Sequence, residues 1–384
     1  MESNRLQKTS LAQMRRRAFL KGVLATGAAS MAAPHWLKAD GIARASASDV
    51  SLPIGMNSFS IRALRWNDLQ VLDYAASLKL DAVFLQDSMD SGSMDPAHWT
   101  EVRNRAEQLG LKLETGGSAV FPKTPDAFQE SVDNILKNAQ RAKGMGSPSV
   151  RFLGASDRSK LPSGSMEQHI ETMIKLFRTV RPQLIDMGLK VALEVHKDFL
   201  TSEFKQIVEG AGKDVVGIYL DTGNPVFVQE HPMTTVETLA PYAVCVHLRD
   251  SVVYEQPEGV AVQWVPLGEG MIDFHEVIAK VAKLCPNPDV NIYIKPITGR
   301  KPTILPLYHQ DYWKAYPDAR AGDLARFLAL AKTGKPYDKP MLTDDTPSKP
   351  TEQNLLFGAQ EKEHLERSIK YAKTELALGR RWKK

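Results

Sequence analysis

Three stretches decide the fold: Leu193-Glu194-Val195-His196-Lys197-Asp198, Tyr219-Leu220-Asp221-Thr222-Gly223-Asn224-Pro225 and Val246-His247-Leu248-Arg249-Asp250. Each opens apolar and breaks into charged and turn-forming residues, as a strand buried on both faces does where it emerges into a loop. Glu194 and Asp221 lie 27 residues apart, and Asp221 and His247 lie 26 apart. One strand–helix unit takes about that length. Three successive units therefore present a carboxylate, a carboxylate and an imidazole at matching strand ends, which predicts that the three stand at one height on adjacent strands.

Outward from this segment the same alternation continues. Candidate strands are Leu52–Phe59, Ala82–Gln86, Lys112–Thr115, Ser149–Leu153, Lys190–Val195, Val216–Leu220, Ala243–Leu248 and Asn291–Ile294. Between them run amphipathic helical patterns such as Trp66–Leu78 and Met166–Met187, several ending at a glycine before the next strand, as at Gly110 and Gly188. Eight strands alternating with helices, without a dinucleotide-binding glycine fingerprint, predict a closed (β/α)8 TIM barrel rather than an open doubly wound sheet. The barrel is expected over residues 48–333, closed by a helix at Asp323–Lys332. Residues 334–384 read as a linker (Gly334–Pro350) and a C-terminal helical extension (Glu352–Arg381). The segment Gly299–Gly322, rich in Pro, Tyr, His and Trp, is too long for a turn and reads as a lid.

Residues 1–47 read as a targeting signal. Arg16-Arg17-Ala18-Phe19-Leu20-Lys21 is a twin-arginine motif. The apolar run Gly22–Ala33 that follows has 12 residues, short of the roughly 20 that span a bilayer, so stable membrane insertion is not expected. Small residues at Ala43–Ala47 offer cleavage sites. The expectation is a periplasmic protein whose precursor engages the twin-arginine export machinery. The whole chain carries a net charge of +4, but residues 1–47 hold eight basic and two acidic side chains, leaving 41 basic against 43 acidic. The mature surface gives no electrostatic reason to bind nucleic acid. Two cysteines, Cys245 and Cys285, do not make a disulfide scaffold, and Cys245 in an apolar strand reads as a buried free thiol.

Catalytic groups of these barrels sit at the C-terminal ends of the strands. Taken singly, a glutamate after an apolar strand is more often a salt-bridge partner, and a histidine among valines a hydrogen-bonded core residue. Taken together, Glu194, Asp221 and His247 form a ligand set for a hard or borderline divalent cation such as Mn, Mg, Co or Zn. His196 is an acid/base candidate beside Glu194. Asn224 and Arg249 are candidates for binding hydroxyls, with Asp250 orienting Arg249. Glu269, in Gly268-Glu269-Gly270, is a further substrate-binding candidate, as are His309 and Trp313 in the lid. Gln86 and Glu114 end earlier strands and are expected in the pocket.

The runs Leu193–Asp198, Leu220–Pro225, Val246–Asp250 and Pro266–Phe274 resemble the xylose isomerase-like TIM barrels, the sugar phosphate isomerase/epimerase superfamily, over roughly Leu52 to Lys332. The resemblance implies one divalent metal on Glu194, Asp221 and His247, chelating neighbouring oxygens of a keto-sugar or its enediolate. It also implies a fourth ligand, a glutamate, at the end of the eighth strand. This chain has Lys295 there. An ammonium cannot ligate while protonated. The favoured expectation is that the metal keeps three protein ligands and that Lys295 joins Glu194 and His196 as a catalytic group. Alternatively Glu114 or Glu269 supplies the missing carboxylate, or Lys295 pairs with Glu194 or Asp221 in place of a metal.

The expected function is thus isomerisation or epimerisation of a small-molecule sugar or keto-sugar through an enediolate. The alternatives are a 3-keto-glycoside lyase or dehydratase using the same enolate, or a non-catalytic sugar-binding barrel. A homo-oligomer is compatible with the sequence. A DNA-repair endonuclease is disfavoured, since its multi-zinc site needs more histidines at the strand ends. Replacing Arg16 and Arg17 together by lysine should hold the precursor in the cytoplasm. Cell fractionation with unchanged export would rule out the twin-arginine route.

Overall fold

The computed structural model describes residues 51–343 and 352–383; the signal, its cleavage sites and part of the linker lie outside the described residues. Eight parallel strands close a barrel: β1 (Ile54–Asn57), β2 (Ala82–Leu85), β3 (Lys112–Ala119), β4 (Ser149–Leu153), β5 (Lys190–Glu194), β6 (Val216–Asp221), β7 (Ala243–Leu248) and, after two inserted strands, β10 (Ile292–Ile294). Their ring order is β1-β10-β7-β6-β5-β4-β3-β2. Helices lie between successive strands, as the sequence period predicts. Met166–Met187 is fixed at its start by a Ser165/Gln168 capping box and at its end by Gly188 at φ +67°.

The barrel interior is a packed layer of Ala82, Phe84, Ala192, Tyr219, Cys245 and Tyr293. Gly55 on β1 leaves room for it, because a Cβ there would meet the Tyr293 ring at 2.7 Å. Cys245 and Cys285 are both free thiols. Strand tilt sets the heights of the polar residues above this layer. Asp221 is the register partner of His247, whereas Glu194 is the register partner of Tyr219, two residues earlier on β6. Strands of a closed barrel are tilted and sheared by about one residue per strand, so an offset of two from Glu194 to Asp221 followed by none from Asp221 to His247 is compatible with the common height that the spacing predicts.

The sequence pattern misses an antiparallel sheet formed by β8 (Asp250–Gln256), β9 (Gly259–Val265) and β11 (Thr303–Leu305). It grows from the loop after β7 and has its own apolar cluster, which includes Val253, Val262, Trp264 and Leu305. The helix expected to close the barrel, Ala321–Thr333, instead places Phe327 and Ala331 in this cluster. The outer layer beside β1 and β10 is completed by the C-terminal helix Glu352–Thr374, whose Leu365, Ile369 and Ala372 join the main core. The C-terminal extension is thus part of the barrel's packing.

Glu269 explains how that helix is held. Its carboxylate accepts from the Tyr337 hydroxyl and pairs with Lys339 at 3.0 Å and Arg367 at 2.6 Å. It ties the loop after β9 to the C-terminal segment and is not among the residues lining the cavity at the barrel mouth. Burial raises its pKa, but the hydrogen bonds and the neighbouring cations more than offset this and hold it below the usual carboxylate value. A depressed carboxylate stabilises the fold above its unfolded pKa of roughly 4.3, and that stabilisation is lost as pH falls through the folded value. Glu269→Gln should therefore cost about 1–2 kcal/mol at neutral pH. In denaturant titrations the gap to the unsubstituted protein should close below about pH 4. A gap that does not change with pH would contradict the ionic anchor.

Candidate active site

Polar residues at the C-terminal mouth form one connected cluster. Glu194 ends β5 fully buried and is gripped by the Arg151 guanidinium. Lys295, just beyond β10, places Nζ 3.2 Å from the other Glu194 oxygen and 3.4 Å from the Tyr219 hydroxyl. Asp221, at the end of β6, accepts the backbone N–H groups of Gly223 (2.9 Å) and Asn224 (3.1 Å) on one oxygen. Arg249 lies 2.8 Å from its other oxygen and 3.8 Å from Glu194. Two buried carboxylates thus face three buried cations. Burial raises the Glu194 pKa, but Arg151 and Lys295 outweigh that and hold it well below the usual range. Burial pushes the Asp221 carboxyl up, with Arg249 pulling against it. The Lys295 ammonium is pushed down to about 8, by burial first, with Glu194 opposing.

Tyr219 links the cluster to His247. Burial keeps its hydroxyl protonated. Asn57 (3.2 Å) and Lys295 both donate to that oxygen, so its one proton is donated to His247 Nδ1. His247 must then carry its own proton on Nε2, a buried atom without a hydrogen-bond partner. Burial, reinforced by Lys295 and Arg249, keeps the ring neutral. His196 is fixed from the other side: its Nδ1 meets the Ser156 carbonyl and must donate to it, leaving Nε2 with a free lone pair. The loop carrying Ser156 is held by buried Asp198, which accepts from Ala155 (2.7 Å) and Ser156 (3.1 Å). Burial pushes His196 down to about 3.

A resident divalent metal does not fit this arrangement. In its favour stand the carboxylate pair, the unpartnered His247 nitrogen and Asp221 Oδ2, which is buried without a hydrogen bond although Arg249 lies within ion-pair distance. Against it, the carboxylate oxygens are engaged by Arg151, Lys295 and Arg249. The His247 nitrogen left over is a donor. Among the described residues no cluster of three or more His, Cys, Asp or Glu side chains is spaced to hold a metal ion. Adding a dication to a site already carrying one net positive charge is electrostatically unfavourable at short range. Of the three outcomes open for Lys295, the structure presents the one in which it pairs with Glu194. Glu114 cannot replace the missing carboxylate: it bonds Asn291 (2.7 Å) and Tyr293 (2.9 Å) near the opposite end of the barrel, where strand-start residues such as Lys112 and Lys190 line a cavity of about 990 Å³.

The cavity at the mouth is smaller, about 390 Å³, and its lining includes Phe59, Gln86, Arg151, His196, Arg249 and Lys295. It is the candidate site because it joins the charged cluster at the strand ends, where barrel chemistry sits. Glu194, Asp221 and His247 stand one layer behind its surface, so Glu194 positions the cations and does not itself line the cavity. Asn224 is engaged, donating to the Val195 carbonyl (2.8 Å) and accepting from Arg249 (3.2 Å). Asp250 does not orient Arg249. It accepts the N–H groups of Ser251, Gly268, Gly270 and Ile272 and organises the loop after β9.

The expected lid is corrected as well. Tyr312 donates to Gln229, the Trp313 indole donates to the Leu307 carbonyl, and His309 is exposed. None of the three lines the cavity; from that segment Arg300, Lys301 and Thr303 do. Sequence reasoning misses Arg151, Tyr219 and Trp264. A charged residue inside the apolar run Ser149–Leu153 was the available signal for Arg151, and nothing in the sequence separates Tyr219 from a core aromatic. Arg151→Met should cost about 3–5 kcal/mol, since it leaves Glu194 buried without its main partner. Lys295→Met should cost less, because Arg151 still neutralises Glu194. Equal losses in urea unfolding would mean that Arg151 is not the principal counter-ion.

Comparison with known proteins agrees with this architecture. The sequence profile of the xylose isomerase-like TIM barrel family matches residues 72–290. The uncharacterised protein YihM of Escherichia coli K12 is 22% identical over 252 residues, 63% of this chain and 72% of that protein. The 3-oxo-isoapionate decarboxylase of Pectobacterium atrosepticum is 24% identical over 184 residues, 47% of this chain and 61% of that enzyme. Among solved structures, D-psicose 3-epimerase from Clostridium cellulolyticum H10 superposes with a TM-score of 0.52 at 15% identity, covering 73% of this chain and 96% of the epimerase. This last likeness is one of fold.

Proposed function

The chain belongs to the xylose isomerase-like TIM barrel family, and on that premise we propose that it is an enzyme converting a keto-sugar through an enolate or enediolate held by organic cations. One observation carries this reading. Lys295, lining the mouth cavity, sets an ammonium between Glu194 and Tyr219 at the strand end where the family resemblance leads one to expect a carboxylate ligand. Negative charge developing on a carbonyl oxygen needs fixed positive charge in a water-poor site. Lys295 and Arg249 supply it. Arg151, Glu194 and Asp221 keep these cations in place, and Tyr219 holds Lys295 from below.

His196 is the proton carrier, with Nδ1–H locked on Ser156 and the Nε2 lone pair available. It removes the proton beside the carbonyl, and return of the proton to the neighbouring carbon completes an isomerisation. A second reading has its own support. A His196 pKa near 3 makes it a weak base, which favours a reaction that reaches the enolate by breaking a C–C or C–O bond instead of a C–H bond. The lyase reading, and the decarboxylase among the relatives, are of that kind. Action in the periplasm, after twin-arginine export, is part of the same proposal and rests on the Arg16-Arg17 motif.

The test is turnover of ketoses and 3-keto glycosides in deuterated water by chelator-treated protein. Isomerisation incorporates deuterium into recovered sugar, and cleavage gives a smaller product. Lys295→Met should lower kcat on the order of 100-fold with the fold intact. Activity that appears only when Mn or Zn is restored would overturn the organic-cation reading.

A further inference from the structure

The mouth cavity is electrically one-sided. Its lining includes Arg151, Lys197, Arg249, Lys295, Arg300 and Lys301, and no Asp or Glu is among its lining residues. Arg300 and Lys301 engage other groups as well, so the argument rests on the remaining four. Glu194 and Asp221, one layer back, offset two of the three charges on Arg151, Arg249 and Lys295. Lys197 faces Asp157 only at 3.7 Å. It lies instead over the rings of Phe227 and Trp264, at 5.4 and 5.8 Å. Arg249 is 2% exposed and stacks on Trp264 at 4.7 Å. Its Nε–H is buried without an acceptor. A buried guanidinium donor without a partner costs about 1–3 kcal/mol, and a ligand oxygen would remove that cost.

We propose that the substrate is a sugar acid, its carboxylate received between Lys197 and Arg249, the two cations that Trp264 and Phe227 hold at the cavity wall. This deepens the enolate reading of the same cavity and rests on it for the site's location. The volume of about 390 Å³ suits a monosaccharide. A carboxylate is favoured over a phosphate because no glycine lines the cavity, whereas phosphate cradles are usually built from backbone N–H groups of glycine-rich turns. The guanidinium and ammonium supply charge-assisted donors suited to a planar acceptor.

Binding calorimetry on the full protein tests this with matched pairs: 2-keto-D-gluconate against D-fructose, D-glucuronate against D-glucose, and D-galacturonate against D-galactose, with fructose 1-phosphate as the tetrahedral anion. At least one acid should bind ten-fold or more tighter than its neutral partner. That acid-over-neutral advantage should shrink about ten-fold in Lys197→Gln. Added salt, which needs no variant to fold, should weaken the acid and not the neutral sugar. No acid exceeding its neutral partner, or fructose 1-phosphate binding tighter than every acid, overturns the proposal. An acid that binds with this pattern yet is not turned over upholds the proposal and counts against the enolate reading alone.

Discussion

Glu194 and Asp221 are both removed from water at the head of the barrel, and everything around them follows from the need to keep them ionised there. A carboxylate in a low-dielectric interior must be paired, ligated or protonated. Here pairing is taken up by side chains from three different strands: Arg151 within β4, Arg249 just after β7, and Lys295 just after β10. Each cation reaches more than one acceptor or ring, so the cluster is tied across half the circumference of the barrel. Removing one member leaves a buried charge facing its remaining partners, which is why the cost of substitution depends on how many partners remain. The same pairing leaves one positive charge over, and it is this excess that a reacting oxyanion can use.

The barrel supplies the constraint that makes the cluster possible. Tyr219 fills the layer beneath, and its hydroxyl is the hinge between the packed interior and the charged mouth, accepting from Asn57 and Lys295 while donating to His247. Above the mouth, the hairpin β8–β9 and the strand β11 bring Trp264 and Thr303 over the cavity. Asp250 ties the loop that follows through its backbone hydrogen bonds, and Glu269 clamps that loop to the C-terminal helix. Two acidic residues near the mouth therefore act on architecture, while the two that chemistry depends on lie deeper and act through cations.

Much of the fold is legible in the sequence because it rests on periodicity: the barrel strands carry runs of Val, Ile and Leu, and helices such as Met166–Met187 carry explicit caps. What is not legible has identifiable physical causes. The hairpin strands are buried along most of their length and follow β7 with a single residue between, so they merge with the apolar run before them. The shear of the barrel, which pairs Glu194 with Tyr219 in register and not with Asp221, is a property of closure and has no local sequence signature. The aromatic segment after β10 reads as a lid by composition. Tyr312 and Trp313 satisfy their polar atoms on Gln229 and Leu307, however, and composition cannot distinguish aromatics that face a ligand from aromatics that face one another.

Position 295 shows how far one residue can redirect the chemistry of its neighbours. Glu194, Asp221 and His247 keep the spacing that the family resemblance associates with metal binding, and read alone they support it. Exchanging a carboxylate for an ammonium at the neighbouring strand end shifts the local charge by two units, and Arg151 and Arg249 add two more positive charges within reach of the same oxygens. His247 then takes the tautomer that Tyr219 imposes, with its proton where a ligand's lone pair would be. The three residues remain in the sequence, but on the proposed reading the charges around them change their role. Two acids that could hold a cation from solution are here ion-paired with the protein's own cations, Arg151, Arg249 and Lys295, which line the cavity.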